Sequence, residues 1–287
     1  MFKKLILALS HKTQLIMNKT VFITGASSGI GKATAHYFAQ NGWNVAATMR
    51  SPEKETELPK LTNVKLFQLD VTDNESITNA IESAVNQFGK IDVLVNNAGY
   101  GADGVFEAMS DEVIENQFNT NVFGLMRVTR AIIPHMRANK AGTIIQIASM
   151  GGRITFPLFS IYHATKFAVE GFTESLQYEL KPFNIKLKLI EPGTIKTEFY
   201  GKGRVAITGS NLPEYKEFVE KCEKISQAPA KNGITPDKVA VSIFKAATGN
   251  SNKLRYPSGK PAPLLLWLRK RLPESWFFAM VRSSYKI

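Results

Sequence analysis

Short apolar runs alternate along the chain with longer segments in which apolar residues recur at helical spacing. The short runs are predicted strands, at residues 19–24, 44–49, 64–69, 91–96, 142–148, 185–190 and 253–257. The longer segments are predicted helices, at residues 30–41, 74–88, 111–138, 162–181, 213–225 and 236–248. Strands that are apolar on both faces and separated by helices form parallel sheets covered by helices on both sides. We therefore predict a doubly wound, Rossmann-type α/β fold with a mostly parallel sheet of about seven strands.

This pattern spans one domain, with a different kind of sequence at each end. No Pro/Gly/Ser-rich linker or internal repeat divides the 287 residues, of which 44% are apolar. We assign residues 1–18 to an N-terminal extension, 19–257 to the single α/β domain and 258–287 to a basic amphipathic tail. Met17 lies just before the first predicted strand, so residues 1–16 are either an extension or lie upstream of the start that the cell uses.

The positive charge of the chain is concentrated at its two ends. Residues 1–19 carry four lysines and no acidic residue, and residues 253–287 carry eight Lys or Arg against Glu274 alone. The ends therefore hold nearly all of the net charge of +12, and the body between them is nearly neutral. This distribution favours contact with a charged surface over a groove that follows a nucleic-acid backbone, and we predict no nucleic-acid partner.

The cysteine and histidine content argues against disulfides and metal sites. Cys222 is the single cysteine, so it has no partner for an internal disulfide. Four histidines are scattered along the chain, at His11, His36, His135 and His163. Their spacing matches no metal-ligand motif, and the short apolar run after Met1 lacks the length of a signal-peptide core. We predict a cytoplasmic protein without a structural metal.

The first predicted strand leads into the segment TGASSGIG at residues 24–31 and from there into a helix. Gly25, Gly29 and Gly31 suit a tight turn, a close backbone approach to a pyrophosphate and close packing of helix on strand. The N-terminus of the helix would offer free N–H donors to the anion. Locally, the alternative is that the glycines serve only the turn.

Tyr162 and Lys166 lie one helical turn apart on the same predicted helix. Reduction of a carbonyl by hydride requires a proton donor, and a phenol can serve if its pKa, ordinarily about 10, falls toward the working pH. A shift of three pKa units corresponds to roughly 4 kcal/mol. A cation about 5 Å away contributes on the order of 3 kcal/mol at an effective dielectric constant near 20. Lys166 can therefore supply most of the shift, and Tyr162 is the predicted general acid or base.

Two further polar residues occupy informative positions. Ser149 ends a predicted strand at the edge where parallel sheets bind ligands, and its hydroxyl can hydrogen-bond a substrate oxygen. The surrounding residues lack the first glycine of G-x-S-x-G, so we do not expect a nucleophile. Asn121 falls in the apolar stripe of the 111–138 helix, where a buried amide must find partners. A structural hydrogen bond to neighbouring backbone would satisfy that need.

A series of motifs, in their order along the chain, resembles the short-chain dehydrogenase/reductase family. The motifs are TGASSGIG (24–31), LDVTD (69–73), NNAG (96–99), Asn121, Ser149, YHATK (162–166) and PGTIKT (192–197). The resemblance covers residues 19 to about 250, and the glycine spacing is similar to the shorter oxidoreductase branch, which includes hydroxysteroid and retinol dehydrogenases. It implies hydride transfer between a nicotinamide and a carbonyl or alcohol. It also implies that Lys166 holds the nicotinamide ribose and that Asn121 holds a water that relays protons to Lys166. The implied catalytic residues are Asn121, Ser149, Tyr162 and Lys166.

The residue after the second strand indicates which dinucleotide is bound. NAD(H) is usually held by an Asp or Glu about 20 residues past the glycine motif, but this chain has Met49 and Arg50 there and no carboxylate until Glu53. Arg50 suits a 2′-phosphate, so we predict NADP(H), with NAD(H) as the alternative. By resemblance, Asp70 contacts the adenine and residues 97–99 line the cofactor. The full predicted cofactor set is Gly25, Ser27, Ser28, Gly29, Ile30, Gly31, Arg50, Asp70, Val71, Asn97, Ala98, Gly99, Tyr162, Lys166, Pro192, Gly193, Ile195 and Thr197.

Aromatic residues are frequent in three loops that should face the cleft, at residues 100–106, 150–159 and 198–204. These aromatic residues are Phe106, Phe156, Phe159, Phe199 and Tyr200. They favour an apolar carbonyl or secondary alcohol as substrate, lipid-like or steroid-like, although packing within the loops would explain them equally well. The alternative function is a catalytically silent dinucleotide-binding sensor or scaffold, which the intact catalytic set disfavours.

Residues 261–287 contain two apolar clusters, Leu264–Leu268 and Trp276–Val281, that are far shorter than the roughly 20 residues needed to span a bilayer. The basic residues beside them are Arg269, Lys270, Arg271, Arg282 and Lys286. Aromatic residues next to arginine suit the interface of an anionic membrane. The alternative is packing over the cleft or onto a second subunit. We predict a peripheral membrane contact, and a homodimer or homotetramer.

Overall fold

The computed structural model describes residues 18–196 and 204–287, without the side chains of residues 226–232. The strands in this part of the chain are β1 (Thr20–Ile23), β2 (Asn44–Met49), β3 (Val64–Gln68), β4 (Val93–Asn96), β5 (Gly101–Gly104), β6 (Gly142–Ile147), β7 (Ile185–Pro192), β8 (Arg204–Ile207) and β9 (Arg255–Ser258). The helices are α1 (Gly29–Gln40), α2 (Asn74–Phe88), α3 (Asp111–Phe118), α4 (Leu125–Ala138), α5 (Ser160–Leu180), α6 (Lys216–Asn232), α7 (Pro236–Thr248), α8 (Ala262–Arg271) and α9 (Glu274–Tyr285).

Seven strands form one parallel sheet in the order β3-β2-β1-β4-β6-β7-β9. β1 is central and fully buried, with Val21 paired to Val45 on one side and to Val93 on the other. The strand order reverses between β1 and β4, and ligands of such sheets bind beyond the carboxyl ends of the strands at that point. The predicted Rossmann-type fold is therefore confirmed, and the reversal locates its crevice.

Two apolar layers hold helices against the two faces of the sheet. On one face α1 packs with α7, and Phe38, Trp43 and Phe244 form edge-to-face aromatic contacts with centroids 5.0–6.1 Å apart. On the other face, α2, α4 and α5 supply buried side chains that include Ile132 and Leu176. Because both faces are covered, the strands need no polar side, which explains their continuous apolar runs.

The helix predicted at residues 111–138 is interrupted by a π-helical turn, Asn119–Gly124, which separates α3 from α4. Asn121 lies within this turn and is buried. A π-helical turn inserts an extra residue per turn and is frequent at functional sites. The apolar stripe continues on α4 through Val128 and Ile132, so periodicity predicted the helix but not its interruption.

The structure differs from the sequence prediction in two places. β5 and β8 form a small second sheet, in which buried Asp103 of β5 is paired with Arg204 of β8. The tail folds into α8 and α9, whose Leu266 and Phe277 pack against Ile154. In the described parts of the chain, no helix combines the length and the apolar character needed to cross a membrane.

Candidate active site

The glycine turn between β1 and α1 is held by contacts that leave no room for larger residues. Gly25 and Gly29 have φ angles of 67° and 53°, a region that favours glycine. A Cβ on Gly31 would lie 2.2 Å from the carbonyl oxygen of Gly25. The side chain of Asn97 donates to the carbonyls of Thr24 and Gly25 at 3.0 and 2.9 Å. The turn is thus fixed to the segment after β4, and α1 begins at the carboxyl end of β1.

Arg50 and Asp70 come together at the carboxyl ends of β2 and β3. Asp70 Oδ1 accepts hydrogen bonds from the backbone and hydroxyl of Thr72, at 2.9 and 2.7 Å. Partial burial opposes ionisation of Asp70, but these bonds and the positive charge of Arg50 outweigh it and hold its pKa below the usual value. Arg50 itself is exposed. An exposed guanidinium at this edge can receive a phosphate without a large desolvation cost.

The other predicted cofactor residues follow strand ends along the same edge of the sheet. Ser27, Ser28 and Ile30 belong to the β1–α1 turn, Val71 follows β3, Ala98 and Gly99 follow β4, and Pro192, Gly193 and Ile195 end β7 or follow it. Ile195 is buried and pairs with Ile234 in an isolated bridge. Thr197 lies outside the described residues, as do Phe199 and Tyr200. Binding of a dinucleotide by this set stays a prediction.

Tyr162 and Lys166 lie on the first turns of α5, beside the end of β6. Lys166 Nζ donates to the carbonyl of Ile147 at 2.9 Å and lies 5.8 Å from the centre of the Tyr162 ring. Burial lowers the pKa of Lys166 to about 8, although the negative charge of Glu170 acts in the opposite direction. Ser149 Oγ accepts the N–H of Gly151 at 3.0 Å. The structure thus gathers Tyr162, Lys166 and the strand that leads to Ser149.

Asn121 makes three hydrogen bonds within the protein. Its Nδ2 donates to the carbonyl of Tyr100 at 2.8 Å and to Thr165 Oγ1 at 3.3 Å, and its Oδ1 accepts the N–H of Tyr100 at 3.1 Å. Both amide protons are used, so the structural alternative of the sequence analysis accounts for the side chain. It ties the segment after β4 to α5, next to Tyr162. A water relay from Asn121 to Lys166 stays a prediction.

His163 is a site residue that the sequence did not reveal. Its Nε2 accepts the N–H of Phe156 at 3.0 Å, so that nitrogen carries no proton, and Nδ1–H donates to the carbonyl of Gly151 at 2.8 Å. Burial lowers the pKa of His163 to about 4, and the bond to Gly151 only partly opposes this. The neutral ring therefore fastens the loop after Ser149 to α5. Its position next to Tyr162 in sequence was the available signal.

The predicted substrate-loop aromatics fall into two groups. Phe159 lies 6.3 Å from the ring of Tyr162, and Phe156 lies 6.0 Å from that of His163. Phe106 is 57% exposed and packs little. A separate depression of about 510 Å³ is lined by residues of 155–160 together with His163, Ala164 and Phe167. Tyr162 is not among the residues that line this depression.

Comparison with known proteins decides the family. Residues 19–206 match the family described as short chain dehydrogenase, which is more than half of the chain. The chain belongs to the short-chain dehydrogenase/reductase family. Members of this family are oxidoreductases that bind a nicotinamide dinucleotide and act on carbonyl or alcohol groups, so the predicted enzyme class is confirmed.

One relative and two solved structures illustrate the similarity, which covers 84–94% of this chain. A 3-ketodihydrosphingosine reductase of Bacteroides thetaiotaomicron is 35% identical over 269 residues, which cover 93% of this chain and 98% of the relative. The crystal structure of a short-chain dehydrogenase from Streptomyces avermitilis superposes with a TM-score of 0.78 at 33% identity, covering 94% and 96% of the two chains. A structure of ElxO with NADP bound has a TM-score of 0.69 at 32% identity, covering 84% of this chain and 98% of ElxO.

Proposed function

We propose that this dehydrogenase uses NADP(H) to transfer hydride to or from an apolar carbonyl or secondary alcohol, with Tyr162 as the general acid or base. The observation that carries the proposal is the position of the buried Lys166 ammonium, 5.8 Å from the Tyr162 ring. At an effective dielectric constant near 20, a cation about 5–6 Å from the phenolic oxygen would favour the phenolate by on the order of 3 kcal/mol, or roughly two pKa units. In this proposal the lysine stabilises the phenolate form of Tyr162.

Each polar side chain has a defined task in this mechanism. When bound, the nicotinamide supplies or accepts the hydride. In reduction, Tyr162 donates its phenolic proton to the substrate oxygen, and the Lys166 charge stabilises the phenolate that forms. Ser149 Oγ already accepts the N–H of Gly151, which leaves the hydroxyl proton to donate to the same substrate oxygen. His163 and Asn121 keep the two flanking loops in place.

The preference for NADP(H) rests on Arg50. It is exposed at the end of β2, beside Asp70 and close to the glycine turn, where the adenosine ribose of a bound dinucleotide would lie. The NADP in the ElxO structure supports this choice. Arg50→Asp should weaken NADPH binding by at least tenfold and improve NADH binding, because the 2′-phosphate would meet a like charge. Dissociation constants from nicotinamide fluorescence test this, and equal affinity of the unaltered protein for both cofactors would contradict it.

The proposed substrate is a long-chain ketone or the matching alcohol. Phe159 places apolar surface beside Tyr162, and the similar Bacteroides protein is named for a 3-keto lipid. The test is a panel of ketones of increasing chain length, with NADPH absorbance as readout. We expect kcat/KM to rise with chain length. NADPH binding without turnover of any ketone or alcohol in the panel would favour the sensor or scaffold instead.

The proposal includes a peripheral contact of the tail with an anionic membrane, and self-association of the chain. Leu264 and Trp267 on α8 are 60% and 54% exposed, and Trp276 on α9 is 67% exposed. The guanidinium of Arg271 lies 5.7 Å from the Trp267 ring, so an aromatic group and a cation share one surface. Meanwhile the inner sides of both helices are buried on Ile154, so the outer side is available.

Vesicle co-sedimentation tests the membrane contact without removing the packed tail. Trp267→Ser combined with Trp276→Ser should lose binding to phosphatidylserine-containing vesicles at low salt. The control is Tyr178→Ser, which removes an aromatic side chain that is 70% exposed on α5. If the unaltered protein stays in the supernatant, or the control loses as much, the membrane contact is wrong. Sedimentation equilibrium tests the proposed homodimer or homotetramer.

A further inference from the structure

Behind Lys166 lies a group of four charged residues, which we call the Glu170 cluster: Arg153, Glu170, Glu191 and Arg255. Arg255 Nε lies 2.9 Å from Glu170 Oε2 and 3.6 Å from Glu191 Oε1, and Arg153 Nη1 lies 3.1 Å from the same Glu191 oxygen. The cluster joins the loop after β6, helix α5 and strands β7 and β9. It therefore connects the Ser149 loop to the helix that carries Tyr162 and Lys166.

The two carboxylates of the cluster are close together and incompletely paired. Glu170 and Glu191 are 5% and 0% exposed, and both contact the same Arg255 nitrogen. Among the described residues, Glu170 Oε1 and Glu191 Oε2 are buried without a hydrogen-bond partner. Burial first, and then repulsion from Glu191, raise the pKa of Glu170 to about 7, although Arg255 and Arg153 oppose this. Glu170 is thus a buried acid that can change charge near neutral pH.

Glu170 also lies one helical turn from Lys166, on the same face of α5. Residues four apart on a helix are neighbours, and an acid and a base in this arrangement stabilise each other. Lys166 is buried, and its ammonium donates to a neutral carbonyl, that of Ile147. The negative charge of Glu170 favours the protonated lysine. No comparable support comes from Arg153 or Arg255, which carry the same sign as Lys166.

We propose that Glu170 is a positioning residue for catalysis, whose carboxylate keeps Lys166 protonated and so sustains the effect of Lys166 on Tyr162. This inference rests on the proposed roles of Tyr162 and Lys166. The charge state of Glu170 is set by Glu191 on β7, Arg255 on β9 and Arg153 from the loop after β6. Its charged neighbours on α5 are Lys166 and Glu174. Glu174 reaches only the outer nitrogen of Arg255, at 2.9 Å, and is itself exposed.

Replacement of Glu170 and its neighbours should move an ionisation rather than simply reduce activity. Glu170→Gln keeps an oxygen that can accept from Arg255 but removes the negative charge, so Lys166 should lose its proton at lower pH. Because Tyr162 must keep its proton to act as the acid, the alkaline limb of the kcat profile for ketone reduction follows the ionisation of Tyr162 and should move to higher pH by roughly one unit. Glu191→Gln removes the repulsion on Glu170, so the Glu170 carboxylate should persist to lower pH and the limb should move the opposite way, to lower pH. Glu174→Gln, the matched control on the same arginine, should leave the limb in place.

A second readout needs no substrate. The absorbance of tyrosinate, titrated in the unaltered protein and in Tyr162→Phe, gives the ionisation of Tyr162 by difference. Repeated with Glu170→Gln, this difference should show Tyr162 ionising at higher pH, because Lys166 is less charged. If Glu170→Gln fails to fold, the opposite shift expected of Glu191→Gln still tests the inference.

The outcomes separate the inference from the proposed function. An unchanged tyrosinate titration and an unmoved alkaline limb in Glu170→Gln would overturn the role of Glu170, even if kcat fell. Equal shifts in Glu170→Gln and Glu174→Gln would also overturn it, since a general charge effect would then explain both. Failure of the proposed function would appear differently, as full activity of Tyr162→Phe on a ketone that the unaltered protein reduces.

Discussion

The neutral His163 ring should make the fold sensitive to mild acid. The ring accepts the N–H of Phe156 and donates to the carbonyl of Gly151, and protonation of Nε2 would replace the first of these bonds with a repulsive contact. The pKa of His163 is about 4 in the folded protein, against a usual value of 6.5. Because the folded-state pKa is depressed, the unfolded chain binds the proton more tightly. The stabilisation is complete above about pH 6.5 and is lost as the pH falls toward 4.

The magnitude follows from the size of this difference. At about 1.4 kcal/mol per pKa unit, the free energy of unfolding should fall by about 3 kcal/mol between pH 7 and pH 4 through His163 alone. The assay is urea denaturation at a series of pH values, comparing the unaltered protein with His163→Asn. The asparagine amide cannot titrate but can still donate to Gly151, so this variant should be less stable at pH 7 and lose stability less steeply with acid.

The comparison of the two proteins contains its own control, and one result would contradict the prediction. Other acid-sensitive groups, such as Glu170, are present in both proteins, so their contributions cancel in the difference between the two curves. His36→Asn changes a histidine on α1, away from the loop, and should follow the unaltered protein. If His163→Asn differs from the unaltered protein by the same free energy at pH 7 and at pH 4.5, the buried neutral histidine is not the cause.

Three other predictions concern the glycine turn, Lys166 and the small sheet. Gly31→Ala should destabilise the fold and weaken NADPH binding, because the new Cβ would lie 2.2 Å from the Gly25 oxygen. The control is Gly171→Ala, whose new Cβ would have no neighbour within 4 Å and which should be neutral or stabilising. Thermal melts and fluorescence titrations of NADPH test both variants. Lys166→Ala should lower both kcat and NADPH affinity, whereas Tyr162→Phe, which removes only the transferable proton, should lower kcat alone. Asp103→Asn should lower the free energy of unfolding, measured by urea denaturation, by about 3 kcal/mol because Asp103 is the buried partner of Arg204. Glu223 lies 3.9 Å from the same arginine, and Glu223→Gln should lower that free energy much less.

Much of the fold was predictable because its signals are local. Apolar runs and helical periodicity placed all seven strands of the main sheet and six helical segments near their observed positions. The small β5–β8 sheet was not predictable. Its first strand, Gly101–Gly104, lacks an apolar run, and it forms through pairing with residues about 100 positions away. The π-helical turn was not predictable either, and the partners of Asn121 within it lie on other segments, at Tyr100 and Thr165.

The candidate active site also has a part that could be predicted from local sequence and a part that could not. Tyr162 and Lys166 could be predicted because helical spacing brings them together, and the glycine motif because its turn is local. The partners of Lys166 could not be predicted in this way. Glu191 and Arg255 reach the Glu170 cluster from β7 and β9, so only the assembled sheet brings them behind α5. For His163 the sequence gives a histidine at a suitable place, but its neutral state depends on the loop that buries it.

The most direct test of the central claim is the turnover of a long-chain ketone by Tyr162→Phe, with NADPH binding measured on the same preparation. Phenylalanine keeps the ring and its packing against Phe159 and removes only the hydroxyl. We predict that kcat falls by at least about a hundredfold, as expected for loss of a general acid, while the dissociation constant for NADPH stays within about twofold. Near-normal kcat in this variant, with a ketone that the unaltered protein reduces, would contradict proton transfer by Tyr162.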